Sequence, residues 1–198
     1  MADADLTVIE AVLAGDADRY AALVEKYQDQ ALRLAFGLLG NYEDARDASQ
    51  EAFVNAYRAL GRFRRGATFS TWLYRIVVNE CQDARRLRLR QPAASLAIGE
   101  ADPAERDGAP LFMDVEEPGT GPAEQLADRE LSQQLSRAIG ELPLKQRTAF
   151  LLHHVHGLPL EEAAGVMECR IGTVKSHVFR ATERLQAFLR PWLAKEGR

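Results

Sequence analysis

Five prolines, Pro92, Pro103, Pro110, Pro118 and Pro122, fall within the 34 residues from 91 to 124, and no helix or strand of ordinary length survives that spacing. The same stretch carries eight acidic residues against the single Arg106, a balance that favours extended, solvated chain over a packed core. It is longer than ordinary connections inside a domain, so it reads as a flexible acidic linker, with Leu111, Phe112 and Met113 as a short apolar interruption. A chain of 198 residues divided in this way yields two small units, 1–90 and 125–198, rather than one large core.

Both units read as helical. No alternating apolar period and no Asn-Gly hairpin signal appears, and the apolar residues recur at helical spacing. Helices are expected near 4–14, 17–39, 42–60 and 69–90 in the first unit. Gly15, Gly40 and the stretch from Gly61 to Gly66 supply its stops, and Asn41 and Thr68 its N-caps. In the second, helices are expected near 123–139, 143–156, 160–167 and 171–190. Gly140, Gly157 and Gly172 mark the breaks there, and Pro143 and Pro159 stand in first turns. The expected fold is all-α, two small helical domains on a tether, with no internal repeat.

The net charge of −4 argues weakly against a nucleic-acid partner, but the charge is unevenly spread. Residues 1–57 hold 4 Lys/Arg against 11 Asp/Glu, and residues 58–90 hold 9 against 2. One domain is therefore acidic at one end and basic at the other. Residues 125–198 hold 11 basic against 8 acidic residues, so the basic charge sits in two places separated by the acidic linker.

Three segments carry the chemistry. From Tyr42 to Leu60, Ala45, Ala48, Ala52, Ala56 and Leu60 form a small-residue seam for close packing. Asp47, Gln50, Glu51 and Val54 share the stripe i, i+3, i+4, i+7, which suits either a solvated face or a basic helical partner. The sequence GRFRRGATFSTW interleaves Arg62, Arg64 and Arg65 with Phe63, Phe69 and Trp72. Such mixing suits single-stranded nucleic acid, the charges following phosphate and the rings holding an unpaired base. Phe69 and Trp72 read first as core, whereas Phe63, flanked by arginines, belongs near the surface. The helix that follows has a polar, basic face through Arg75, Asn79, Gln82 and Arg86.

Between Leu158 and Leu189 a short helix, a tight turn at Glu168 to Arg170 and a longer helix follow one another. Val174, Val178, Ala181, Leu185 and Phe188 are spaced as the buried face of the longer helix. Thr173, Lys175, Ser176, Phe179, Arg180 and Arg184 face the other way, a set suited to phosphates, base edges and thymine methyls in a major groove. A helix-turn-helix and an ordinary helical hairpin with a basic face both fit this pattern.

The runs YEDARDASQEAF, FSTWLYRIVVNECQDARR and LPLKQRTAFLLHHVHGLPLEEAAGVMECRIGTVKSHVFRA, in that order, resemble the successive regions of the bacterial extracytoplasmic-function sigma factors of the sigma-70 family. The resemblance spans residues 6–189 apart from the linker. It implies that 1–90 is sigma region 2, that 125–198 is sigma region 4 with its helix-turn-helix, and that the chain is an alternative sigma factor serving a stress- or signal-responsive regulon. The implied partners are core RNA polymerase, through the beta-prime clamp and the beta subunit, promoter DNA and an anti-sigma factor.

By the same resemblance Asp47, Gln50, Glu51 and Phe53 engage the clamp helices. Arg62, Phe63, Arg64, Arg65 and Phe69 belong to the loop that captures a flipped base of the −10 element, with Arg75, Asn79, Asp83 and Arg86 on the adjoining helix. Thr173, Lys175, Ser176, His177, Phe179 and Arg180 match the helix that reads −35. Pro159 stands where relatives often have a capping Ser or Thr, and Lys175 and His177 stand where arginine is frequent, so the −35 base preference does not carry over.

Two other readings compete. A stand-alone helix-turn-helix repressor or activator would need neither the acidic stripe nor the arginine-aromatic loop. A metallohydrolase would have to use His153, His154 and His156, yet on a helix those positions fan over roughly 300 degrees and no further ligand has a suitable spacing. Glu161 and Glu162 fit the first turn of a helix, where acids favour the macrodipole. No nucleophile-base pair or phosphate loop is present, so neither enzymatic activity, a cofactor nor a metal is expected. Without an apolar run of about 18 residues, and with acids where a signal peptide would be basic, neither membrane insertion nor secretion is expected. Cys81 and Cys169, 88 positions apart, suggest no disulfide framework, and the expected compartment is the cytoplasm.

Overall fold

The computed structural model describes residues 2–64, 66–90 and 122–196, with side chains described over 4–64, 66–90 and 131–192. Residues 91–121, hence most of the expected linker and the apolar triplet 111–113, lie outside the described residues, as does Arg65. Everything regular among the described residues is helical. The first half contains α1 (Ala2–Leu13), α2 (Tyr20–Leu39) after a 3-10 turn, α3 (Tyr42–Ala59) and α4 (Phe69–Arg90). The second contains α5 (Pro122–Gly140), α6 (Leu144–Phe150), α7 (Leu160–Val166) and α8 (Ile171–Glu196).

Local chemistry explains the boundaries. Gly40 ends α2 at φ 73, a left-handed value that costs glycine nothing, and its N–H bonds Phe36 O. The Asn41 side chain then accepts from the Asp44 N–H at 2.9 Å and starts α3, while the Thr68 hydroxyl accepts from the Thr71 N–H at 3.2 Å and starts α4. Pro143 and Pro159 are themselves the N-caps of α6 and α7, one position before the first turn.

Two features depart from the expected pattern. The helix expected over 143–156 is α-helical only to Phe150 and continues as a π-helix over Leu151–Val155, the His156 N–H reaching Leu151 O at 2.9 Å. Gly172 lies inside α8 rather than at a break. The turn is made by Glu168, which holds φ 51 without being glycine.

Helices α2, α3 and α4 pack on one another and make the larger core. The alanine seam of α3 permits their close approach: Ala45, Ala48, Ala52 and Ala56 are buried together with Leu60, against Leu34 and Ala35 of α2 and Leu73 and Val77 of α4. Burial also pushes the Cys81 thiol up to about 12, so it packs here as an apolar group. In the second half, Val174, Ala181 and Leu185 of α8 are buried and pack with α6 and α7, but Phe188 is 44% exposed and falls off the stripe.

The halves meet. Buried Arg147 in α6 donates to Leu38 O of α2 at 3.0 Å, to Gly140 O at the end of α5 and, at 3.2 Å, to Leu142 O just beyond it. The Tyr74 ring of α4 meets His156 edge-on at 5.0 Å, while its hydroxyl donates to Gln30 Oε1 at 2.8 Å. No helix among the described residues is long and apolar enough to cross a membrane.

Asn41→Ala should destabilise the chain by about 1 kcal/mol, and Leu73→Ala, which opens a cavity at a fully buried site, by about 2 to 5 kcal/mol, both read from urea unfolding midpoints. A pH prediction concerns His156, whose imidazole is held down to about 4 by burial and then by the positive charge of Arg33. An imidazole depressed below its unfolded value of about 6.5 stabilises the fold at neutral pH. That stability is lost as pH falls from about 6.5 toward 4, because the unfolded chain takes up the proton first. Between about pH 6.5 and pH 5 the wild type should lose stability more steeply than His156→Gln, by about 1 kcal/mol per pH unit, in the same unfolding assay.

Candidate nucleic-acid interface

The acidic stripe of α3 is presented to solvent. Asp47, Gln50 and Glu51 are exposed, and Val54 and Tyr57 extend the face with apolar surface at 41% and 45% exposure. Its ion pairs are peripheral: Glu43 takes Arg46 at 2.7 Å, and Glu51 faces Arg58 only at 3.7 Å. Such exposed pairs contribute little and yield readily to a partner. Phe53, grouped with these residues by the resemblance, is 8% exposed and points into the core. It supports the face from behind, because position 53 falls beside the alanine seam and not on the acidic stripe. Its carbonyl accepts from Tyr20 Oη at 2.7 Å, and the Tyr20 ring meets Tyr57 at 5.0 Å. Tyr57 was missed in the sequence, although it stands three residues beyond Val54 on the same stripe.

At the basic end, Arg62 and Arg64 are exposed and Phe63 is half-buried between them. The Phe63 ring packs edge-on against Trp72 at 5.4 Å and Phe69 at 6.1 Å, and Phe69 in turn meets Tyr27 at 5.4 Å. Phe69 is 2% exposed and therefore a core residue, unavailable to a base; it backs the half-exposed Phe63. Asn79, Asp83 and Arg86 continue on the exposed face of α4, with Arg75 half-buried, and Arg86 pairs with Asp83 at 2.9 Å.

The turn at Glu168 sends α8 across α7. This geometry leaves Thr173, Lys175, Ser176, Phe179 and Arg180 exposed near the N-terminal end of α8, Phe179 at 63%. His177 is half-buried with Nδ1 enclosed, and its imidazole lies below the usual histidine range because of burial, then Lys145, then Arg180. A neutral His177 offers a neutral edge where an arginine would offer charge. Lys145, exposed on α6, joins this basic patch through space. Its linear distance from α8 leaves no signal in the sequence.

The three clustered histidines do not converge on one point: His153 and His154 stack at 4.8 Å, while His156 turns to another neighbour. His153 Nδ1 lies 2.9 Å from Leu158 O, His154 packs on Phe150, and His156 packs on Tyr74. Among the described residues no group of three His, Cys, Asp or Glu side chains is arranged to hold a metal ion. Glu161 and Glu162 do occupy the first turn of α7, and Glu162 also accepts a hydrogen bond from the Thr71 hydroxyl of α4, a contact 91 positions apart that the sequence does not announce.

Comparison with known proteins matches this arrangement to two regions in chain order. Sigma-70 region 2 matches residues 23–91 and sigma-70 region 4 matches residues 132–185. The RNA polymerase sigma-H factor of Pseudomonas aeruginosa is 38% identical over 189 residues, covering 96% of this chain and 95% of that protein. The ECF RNA polymerase sigma factor SigW of Bacillus subtilis is 35% identical over 182 residues, covering 92% and 95%. Among solved structures, the sigma factor RpoE of Bartonella quintana, in complex with the anti-sigma factor NepR, aligns with a TM-score of 0.63 at 26% identity, covering 84% of this chain and 98% of that one. With relatives of this identity matched along nearly their whole length, the chain belongs to the extracytoplasmic-function sigma factors of the sigma-70 family.

Proposed function

We propose that the chain works as a promoter-specificity subunit built of two readers, 1–90 for core polymerase binding and the −10 element and 125–198 for the −35 element, with 91–124 as the tether. The observation that carries this reading is the separation of surfaces: an acidic and apolar face on α3, an arginine-flanked half-buried aromatic at the start of α4, and a basic, exposed recognition face on α8. Asp47, Gln50, Glu51, Val54 and Tyr57 dock on the polymerase clamp. Arg62 and Arg64 follow the single strand while Phe63 holds the unpaired base, and Asn79, Asp83 and Arg86 line its path. Thr173, Lys175, Ser176, His177, Phe179 and Arg180, joined by Lys145, read or anchor the −35 duplex.

Such a protein supplies binding energy rather than chemistry. Unpairing costs a few kcal/mol, which is offset by pocket contacts to the extruded base and by association with polymerase. Its partners are core RNA polymerase, through the beta-prime clamp and the beta subunit, and promoter DNA, in the cytoplasm. A structural neighbour crystallised with an anti-sigma factor supports an inhibitor of that kind for this chain too. The direct test is to mix the purified chain with core polymerase and map transcription start sites across the genome. Absence of new start sites would reject the reading in favour of a stand-alone DNA-binding protein.

Asp47→Lys or Glu51→Lys should weaken association with core polymerase while leaving the helical fold intact, since both side chains are exposed. Co-elution with polymerase across a concentration series checks this, and undiminished co-elution would give α3 another role. The two DNA surfaces should also separate. Arg180→Ala should lower recruitment to duplex promoter, by about 1 to 3 kcal/mol at one position if a base contact is lost, or with a salt slope smaller by about one if a phosphate contact is lost. Phe63→Ala should spare recruitment and impair opening, and a template already mismatched at −10 should rescue it. Run-off transcription and permanganate reactivity on both templates decide; equal rescue of both variants would remove the division of labour.

A further inference from the structure

Asp5 of α1 is a carboxylate enclosed in the first half, 7% exposed, and both its oxygens are engaged. Tyr27 Oη donates to Oδ2 at 2.6 Å. The Lys26 ammonium donates to Oδ1 and also lies over the Tyr27 ring, 4.9 Å from its centre. Burial, and then the bond to Asp5, push the Tyr27 phenol above its ordinary range, so the hydroxyl stays protonated and donating. The ion pair with Lys26 neutralises Asp5, which therefore turns no net charge against a nucleic-acid strand.

The Tyr27 ring continues the contact toward the −10 loop. It meets Phe69 at 5.4 Å, Phe69 meets Phe63 at 6.1 Å, and Trp72 closes on Phe69 at 5.7 Å and on Phe63 at 5.4 Å. Asp5, with Leu6 and Ile9 of the same helix, lines one cavity with Phe63 and Phe69. A line of contacts thus runs from a carboxylate on α1, through the rings of Tyr27 and Phe69, to the half-buried Phe63.

Stability alone does not explain a charged group at the far end of that line. Desolvating a carboxylate and an ammonium consumes most of what their attraction returns, and apolar side chains filling the same space would hold α1 on α2 as well. What the polar pair adds is direction. Ring contacts tolerate sliding and tilting over centroid distances of about 4.5–7 Å, whereas a hydrogen bond to a fixed acceptor sets where the tip of Tyr27 lies, and with it the surface on which Phe69 rests. A ring that meets an extruded base needs such support, because the contact offsets unpairing best when the ring is already ordered.

We infer that Asp5 and Tyr27 are positioning residues for promoter opening: their hydrogen bond fixes the platform of Phe69 and Trp72 that holds Phe63 ready for the unpaired −10 base, and neither side chain touches DNA itself. The inference rests on the role given above to Phe63.

The experiment uses the full chain with core polymerase and the duplex and pre-melted templates of one mapped promoter. Tyr27→Phe removes one hydroxyl, and Asp5→Ala removes its acceptor. Each should slow permanganate-detected opening of the duplex about tenfold, the lower end of what one hydrogen bond to a charged group is worth. Recruitment to closed duplex should stay at the wild-type level, and the pre-melted template should restore transcription. Asn41→Ala, which weakens the fold at the α3 cap, controls for stability and should open the promoter as wild type does. Normal opening by Tyr27→Phe, or an equal loss in Asn41→Ala, overturns the inference, and Tyr27→Phe decides alone if Asp5→Ala does not fold. Tyr27→Phe combined with Phe63→Ala should open no more slowly than Phe63→Ala; losses that multiply overturn the inference too, because Tyr27 then acts elsewhere.

Fluorescence supplies a reading independent of DNA. In a Trp192→Phe background Trp72 is the remaining tryptophan, and its quenching by acrylamide should rise in Tyr27→Phe and stay at the wild-type level in Asn41→Ala. Unchanged quenching in Tyr27→Phe overturns the inference. If Phe63→Ala itself opens the promoter normally, the base-holding role of Phe63 fails. Raised Trp72 quenching together with slow opening in Tyr27→Phe then upholds the platform and moves base capture to another residue of the loop.

Discussion

One buried guanidinium ties the two halves together. Arg147 reaches the carbonyl of Leu38 in the last turn of α2, that of Gly140 at the end of α5 and that of Leu142 just beyond it. Both helix ends leave carbonyls without intrahelical partners at the negative pole of the helix dipole, and one cation serves both. Enclosing an arginine costs several kcal/mol unless its donors are used, so this side chain holds its position only while the carbonyls around it stay in place. The seating of α6, and through it of α7 and α8, is referred to the end of α2 by that contact.

From this anchor the arrangement of surfaces follows. The alanine seam draws α3 close to α2 and α4, and the acidic stripe on its other side turns outward. The rings of Tyr27, Phe69 and Trp72 fill the space under the α4 start and leave Phe63 only half covered. A ring supported by the core on one side and open on the other combines two demands, rigidity and access. Phe69 and Phe53 serve the rigidity; Phe63, Val54 and Tyr57 provide the access.

The junction between the halves is polar as well as apolar. Tyr74, His156, Thr71 and Glu162 meet there, and His156 Nε2 is enclosed without a hydrogen-bond partner. An apolar seam between the halves would hold them together permanently, whereas groups that regain water on separation lower the cost of opening.

Helix positions, caps and the alanine seam were legible in the sequence because each depends on residues within a few positions: Asn41 caps its own helix, and Ala45 to Ala56 repeat at helical spacing. The order of the motifs likewise carried the family, and the acidic and basic faces were visible as charge counts. Four features were not legible. Phe53 turned out buried because burial depends on which neighbouring helix covers a face, and periodicity gives a face without its cover. The π-helix at Leu151–Val155 hides inside an ordinary helical pattern. Lys145 reaches the recognition face only through the packing of α6 on α8, and Glu162 meets Thr71 only through the packing of the two halves. The sequence by itself therefore determined the elements, their polarity and the family, all of which rest on local spacing. The tertiary structure alone decided that Phe53 is buried, that Lys145 joins the face of α8 and that Glu162 meets Thr71, because these depend on contacts between residues far apart in the chain.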